Sequence, residues 1–289
     1  MIMGAKVYPS DLTDGQWTLL EPLIPSVAEG AAHVLHERRA IVNAILYILR
    51  SGCSWRMLPH EYPRWGTVYD YFRQWQRDGT WDQVLETLHM QVRVKQGRDP
   101  QPSAAIIDSQ SVRVSPIRGP EKGYDMGKKI WGRKRHLLID TQGYLLAIKV
   151  LAANRSDAEG ARVLLEPLKE RLPRIRKLWG DSHYGGELLR WLHEHLGWMG
   201  EIVKRIKAPT RGILVPEGEE VDWEKRFPSG FQPLPRRWVV ERSFAWMVRF
   251  RRLSRDYEGL PLCSEAFIKV AMIALILADL EMLADSHIS

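Results

Sequence analysis

The chain has 289 residues, of which 42 are Lys or Arg and 35 are Asp or Glu, for a formal net charge of +7. With 45% hydrophobic and 27% charged residues, the composition excludes a low-complexity or fibrous chain and fits a folded protein with room for one large and one small domain. The two cysteines, Cys53 and Cys263, are too few for a disulfide framework or a zinc cluster and read as small buried hydrophobes, while the basic balance leans towards an anionic partner such as nucleic acid.

The first ten residues carry no secretory pattern, so a cytoplasmic protein is expected. A helix capped by Asp14 carries Trp17, Leu20, Leu23 and Ile24. The segment His36–Leu49 puts Ile41, Ala44, Ile45 and Ile48 on one face and stops at Gly52. Thr67 opens a third helix with Val68, Tyr71, Phe72 and Trp75 inward and Arg73, Gln74 and Arg77 outward; a fourth runs over Trp81–Val94. A polar, Pro- and Gly-rich stretch, Gln96–Ser103, then divides the chain into a helical domain over 1–97 and a second domain over 98–289.

Beyond that linker the period changes. Ala104–Val114, His136–Asp140 and Tyr144–Leu151 read as strands of an antiparallel meander, with Gln142-Gly143 as a turn. A helix follows from Ser156 or Asp157 to Arg171, then a strand over Ile175–Gly180, a helix over Gly186–Leu196 and a strand over Met199–Ile206. Residues 207–235 read as a loop-rich insertion, and a long helix begins near Pro235 and runs to about Arg252. The apolar run Ala266–Leu283 is broken by Lys269 and Asp279, which predicts a buried helix and no membrane span. The order predicts an α/β fold, a mixed sheet flanked by helices behind a small helical unit.

Three acids stand out by position. Asp108 lies in an apolar strand, Asp181 directly follows another, and Glu241 sits on a helix between Val239-Val240 and Phe244. Each has a bland alternative: a strand-end Asp often forms a turn, and Glu241 has Arg237 one helical turn before it. Together they suggest a shared cation, because lone carboxylates in apolar surroundings are costly.

The segments IIDSQSVRV (106–114), KGYDMGKKIWGRKRHLLIDTQG (122–143), LAANRSDAEGA (151–161), LWGDSHYGG (178–186) and PRRWVVERSFAWMVRFRRLSRDYE (235–258) resemble DDE-type transposases of bacterial insertion sequences, in the group of insertion sequences four and five. LTDGQWTLLEPLIP and GCSWRMLP extend the likeness into the helical unit. The resemblance implies an RNase H-like core with Asp108, Asp181 and Glu241 as catalytic, metal-binding triad, 73 and 60 residues apart. It implies two Mg²⁺ ions, with Mn²⁺ able to substitute, Asp108 bridging them, Asp181 on one and Glu241 on the other. It also implies double-stranded DNA as partner, both the terminal inverted repeats and the target, a homodimer on DNA, and residence at the bacterial nucleoid. In the family's last motif a Tyr often stands three residues before the Arg and a Lys seven after the Glu. Here Arg237 matches, Leu234 and Val248 stand at those two positions, and Arg249 is next door.

Basic residues flank the acids. Residues 236–255 hold seven arginines and one acid, and 113–136 hold eight Lys or Arg against Glu121 and Asp125. Arg237, Arg249, Arg252, Lys128, Lys129, Arg133, Lys134 and Arg135 are therefore candidate phosphate contacts, and Arg64, Arg73, Gln74 and Arg77 candidate contacts of the helical unit. Trp131 or Trp246 could stack on an unpaired base, and His183 could assist a bound water. The expected activity is cleavage at the ends of an insertion sequence followed by joining of the freed 3′-hydroxyl to target DNA. Competing readings are an inactive DNA-binding remnant that regulates the element and a nuclease that only hydrolyses.

Overall fold

Thr13 starts the first helix. Its hydroxyl accepts from the Gln16 amide and the Gln16 side chain answers to the Thr13 amide, a capping box that leaves Asp14 in the first turn and not at the cap. The computed structural model describes residues 8–25, 37–203 and 237–285. Helices α1 (Asp14–Leu20), α2 (Arg38–Ser51), α3 (Trp65–Arg77) and α4 (Thr80–Lys95) form the amino-terminal unit. Gly52 ends α2 in the left-handed region, φ 76°, where its amide reaches back to the Ile48 carbonyl. Thr67 lies inside the first turn of α3, whose flanking residue is Arg64.

Strands β1 (Ala104–Arg113), β2 (Gly123–Asp125), β3 (Ile130–Asp140), β4 (Leu145–Ala152), β5 (Lys177–Gly180) and β6 (Met199–Ile202) make one mixed sheet. Its order is β2-β3-β1-β5-β6, with β4 also on β3; β1, β2 and β4 run antiparallel to β3, whereas β5 and β6 run parallel to β1. Helix α5 (Asp157–Leu165) covers one face through Ala161, Leu164 and Leu165, against Ala105, Ile107 and Leu138. Helices α7 (Arg237–Val248) and α8 (Pro261–Asp285) cover the other face, against Ile106, Leu137 and Ile139. A short α6 (Glu187–Trp191), continued by a π turn, joins β5 to β6. This is the expected RNase H-like α/β arrangement.

The differences from the sequence reading have physical causes. Helix α5 stops short of Arg171 because Pro167 lacks an amide hydrogen and tightens the chain into a 3₁₀ turn, Glu166–Leu168. Strand β3 starts six residues before His136, so the run Arg133-Lys134-Arg135 is inside the sheet. The β6 strand reaches Ile202, and the expected insertion 207–235 lies outside the described residues. The helices before residue 97 share one continuous core with α8, where Phe72 stacks on Phe267 at 4.5 Å. Helix α8 is apolar on all sides and buried, as a core helix must be. Among the described residues no helix is long and apolar enough to cross a membrane.

Two buried ionic junctions tie these layers together. Asp140, at the end of β3, accepts from Arg93 (2.6 Å) and His89 (3.2 Å) of α4 and from the amides of Gln142 and Tyr144 in the turn. Burial by itself would raise the Asp140 carboxyl; the hydrogen bonds and charges of His89 and Arg93 overcome that and hold it below the usual carboxylate range. Arg133 is fully buried. It contacts Asp256 at 3.3 Å and donates to the carbonyls of Glu121, Pro120, Glu258 and Gly259. Replacing Arg133 by Met removes every one of those bonds and leaves Asp256 only the Ser264 hydroxyl and the Glu258 amide, without the cation it contacts, so a loss of about 3–5 kcal/mol in unfolding free energy is expected from urea titration. A loss below about 1 kcal/mol would show that the surrounding loops hold without it.

Candidate active site

Side chains alternate along β1, so Ile106, Asp108, Gln110 and Val112 share one face and Ile107, Ser109 and Ser111 the other. Ile106 belongs to the core with α7 and α8, and Ile107 to the core with α5, which sets Asp108 on the α7 side. Strand β5 is the parallel neighbour of β1, with Ile106 opposite Trp179. Two residues on from each stand Asp108, midway along β1, and Asp181, directly after the end of β5. The Asp181 backbone stays extended (φ −85°, ψ −174°), so it keeps the alternation, and Trp179 packs in the same core as Ile106. Ligand sites of parallel strands lie beyond their carboxyl ends, where Asp181 stands.

Each carboxylate is oriented by its own backbone. Asp108 Oδ1 accepts from the Ser109 amide at 2.7 Å. Asp181 caps a 3₁₀ turn through the His183 amide at 2.9 Å, and His183 Nδ1 lies 3.2 Å from both of its oxygens. His183, which the sequence left as a possible helper of a bound water, is thus an exposed partner of Asp181 itself. Glu241 is exposed on α7, the helix lying over this face. Carboxylate oxygens of the kind these three acids carry would suit a hard divalent cation. Among the described residues, no three acids, histidines or cysteines stand close enough together to hold a metal ion.

Tyr184 was missed by the sequence reading. Its hydroxyl is buried and, among the described residues, has no partner in good hydrogen-bond geometry. Burial first, and then the negative charges of Asp108, Asp157 and Asp181, push its ionisation well above the usual tyrosine range. The only cue was its place in LWGDSHYGG. On the α5 face a second polar cluster backs the site: Ser109 Oγ donates to Asp157 at 2.6 Å, and Lys134 Nζ reaches Asp157 (3.1 Å) and the Arg155 carbonyl (2.8 Å).

The structure sorts the candidate DNA contacts. Lys128 and Lys129 are exposed at the β2–β3 hairpin tip beside Trp131, and Arg249 is exposed after α7. Arg64, Gln74 and Arg77 are exposed on or beside α3, whereas Arg73 turns towards Gln76 and the Cys263 sulfur. Four expected contacts are instead turned inward: Arg133 as above, Lys134 onto Asp157, Arg135 onto the carbonyls of Leu253 and Arg255, and Arg252 onto Glu258 and the Cys53 carbonyl. A buried cation must be satisfied locally, and each of these is held by carbonyls or a carboxylate supplied by another segment, Glu258 being the one that lies near in sequence. The side chain of Arg237 and the whole of Leu234 lie outside the described residues. Trp246 packs over Arg242, which lies between it (4.8 Å) and Trp238 (4.6 Å) and donates to the Gln142 carbonyl. Of the cysteines, Cys263 is buried and Cys53 half-buried.

His136, paired across β3 with Ser109, presses its ring against Gly160 of α5, where an added Cβ would come within 2.1 Å. Neither ring nitrogen has a partner, and burial lowers its pKa to about 4. The folded chain therefore refuses a proton that the unfolded chain takes near pH 6.5. Stability should fall as pH drops from about 6.5 to 4, by on the order of 3 kcal/mol, and hold steady above that window. Denaturation midpoints across this range should be flatter for His136→Phe; an unchanged slope would exonerate His136.

Comparison with known proteins agrees with this layout. Residues 12–85 match the family model "Putative transposase of IS4/5 family", and residues 99–276 match "Transposase DDE domain". Two curated proteins of Burkholderia cepacia are similar. An insertion element IS402 uncharacterized 16.2 kDa protein is 33% identical over 109 residues, which is 36% of this chain and 73% of that protein. A "Putative transposase for insertion sequence element IS402" is 32% identical over 139 residues, 48% of this chain and 60% of that one. The uncharacterized protein y4sN of Sinorhizobium fredii is 29% identical over 77 residues, 27% of this chain and 62% of that protein. No solved structure matches.

Proposed function

Since this chain belongs to the DDE-type transposases of insertion sequences, we propose that it cuts the ends of such an element and joins the freed 3′-hydroxyl to target DNA, with Asp108, Asp181 and Glu241 as its catalytic acids. The family implies DNA binding and dependence on a divalent metal. The observation that supports the reading is the register of β1 and β5, in which Ile106 stands opposite Trp179, each two residues before one of the proposed acids.

Asp108 and Asp181 would hold the cation, Mg²⁺ in our reading, and Glu241 would complete the set as DNA enters. Bound there, a pair of divalent ions supplies a nucleophilic oxygen at neutral pH and neutralises charge on the leaving oxygen. The chain's own part is orientation. The Ser109 and His183 amides hold one oxygen each of Asp108 and Asp181, which fixes where the remaining lone pairs point. Both cleavage and joining are in-line displacements at phosphorus, so one arrangement of acids serves both. Exposed Lys128, Lys129 and Arg249 supply charge for the phosphate backbone, and α3 presents Gln74 and Arg77 to the terminal repeats, with Arg64 at its start. Two copies on paired ends, working at the nucleoid, complete the proposal.

The test is incubation of the purified protein with DNA flanking its own coding sequence, Mg²⁺ or Mn²⁺ and a target plasmid, followed by sequencing of the products. Joined ends are expected. Binding without nicking would mark an inactive remnant, and nicking without joining a hydrolytic nuclease. Asp108→Asn, Asp181→Asn and Glu241→Gln should each lower cleavage by at least about a hundredfold while leaving end binding within a few-fold. Near-normal cleavage in any one of them removes that residue from the set.

A further inference from the structure

Helix α7, which carries Glu241, is only 12 residues long. Its Val239, Val240, Ser243 and Met247 are buried, whereas Trp238, Glu241, Ala245 and Val248 are exposed, so the acid stands on the side away from the core. Apolar packing is non-directional and by itself leaves a short helix able to roll about its axis. Side-chain tips lie about 5–6 Å from a helix axis, so a roll of about 20° would carry the Glu241 carboxyl roughly 2 Å. A misplacement of about 1 Å can cost a hundredfold in rate. Whatever fixes the roll of α7 therefore bears on the chemistry.

The turn between β3 and β4 grips the helix directly beside that acid. Arg242 donates to the Gln142 carbonyl at 2.6 Å, and Ser243 Oγ donates to the Gly143 carbonyl at 2.8 Å. The Arg242 guanidinium lies between the indoles of Trp238 and Trp246, one helical turn before it and one after, at 4.6 and 4.8 Å. It cannot swing away without leaving both rings. Gly143, at φ 92°, lets the helix come this close: a Cβ there would lie 3.0 Å from Ser243 Oγ and 3.3 Å from both Arg242 and Trp246. The turn is in its own right held from three other sides. Asp140 is bonded to His89 and Arg93 of α4. The Tyr144 hydroxyl donates to Asp279 of α8 at 2.9 Å and accepts from Gln96 at 3.0 Å. The Gln142 amide, oriented with its oxygen towards Arg98, accepts from Arg98 Nη2 at 2.6 Å.

We propose that Arg242 is a positioning residue for Glu241: clamped between two indoles and bonded to the β3–β4 turn, it sets the roll of α7 and so the place from which Glu241 reaches the reaction. This rests on the reading of Glu241 as the third acid. The side-chain torsions of Glu241 let its carboxyl turn towards an incoming cation, but its Cα goes where the helix is held. The clamp needs a cation that can also donate. A Lys there would keep a charge against the rings and one bond to the carbonyl, whereas a Met would fill the slot and donate nothing. Because His89, Arg93, Gln96 and Arg98 grip the same turn, the anchor of the third acid is also an anchor of the amino-terminal unit.

The experiment compares Arg242→Met and Arg242→Lys with the unaltered full chain, measuring cleavage of the end fragment at saturating protein and end binding separately in EDTA. Arg242→Met should lower the cleavage rate at least about tenfold with end binding within about twofold, and Arg242→Lys should recover the rate to within about threefold. A second readout needs neither DNA nor metal. Nitroxide labels are placed at Ala245→Cys and Glu187→Cys, both exposed sites, in a chain carrying Cys53→Ser and Cys263→Ser. Their distance distribution, from double electron–electron resonance, should shift or broaden by about 2 Å in Arg242→Met and return in Arg242→Lys. Cleavage by Arg242→Met at or above the unaltered rate overturns the proposal. So does a label distance that the substitution leaves unchanged, or a loss of end binding as large as the loss of cleavage. An unaltered chain that cuts nothing sinks the transposase reading instead, and the label distances still decide whether Arg242 sets the helix.

Discussion

Ile106 of β1 pairs with Trp179 of β5, and each stands two residues before one of the two acids, Asp108 and Asp181. The arrangement persists because the residues just before them are over-determined. Ile106 and Trp179 are locked in register and buried under α7 and α8, and Ala105 and Ile107 are buried under α5 on the reverse face. A slip of one residue would turn Asp108 into the α5 core and Ile107 out of it. Core packing therefore fixes which face of the sheet Asp108 takes.

Much of this was legible in the chain. Asp108 and Asp181 announce themselves as acids at the ends of short apolar runs, and the buried helix near Ala266 follows from an apolar stretch too broken for a membrane. The proposed triad rests on family motifs, because no single segment ties a helix residue 60 positions later to the two earlier acids. Tyr184 could not be read, since its importance lies in a hydroxyl buried among three acids from separate elements. The three-residue β2 was too short to show a period.

The basic residues show where sequence reasoning breaks down. A run such as Arg133-Lys134-Arg135 reads as a solvated face or a phosphate cradle. In the fold it lies at the centre of β3, with neighbours on both edges, and each side chain finds acceptors supplied from elsewhere in the chain. Charge in the sequence thus records two different needs. Lys128, Lys129 and Arg249 leave theirs in solvent, whereas Arg133 and Arg252 spend theirs on stitching loops together. Only the positions of distant carbonyls tell the two apart.

Helix α8 carries a consequence for synthesis. It lies between the amino-terminal helices and the sheet, touching both, and it supplies Phe267 to the aromatic cluster of the first unit and Glu265 to the buried amide of Val150 in β4. The first hundred residues therefore leave the ribosome without the partner that completes their core. They must wait, partly open, until the last turns of the chain arrive. A copy truncated by a frameshift before residue 261 would lose not a tail but the keystone of both halves, and would be recognised by cellular proteases as unfinished.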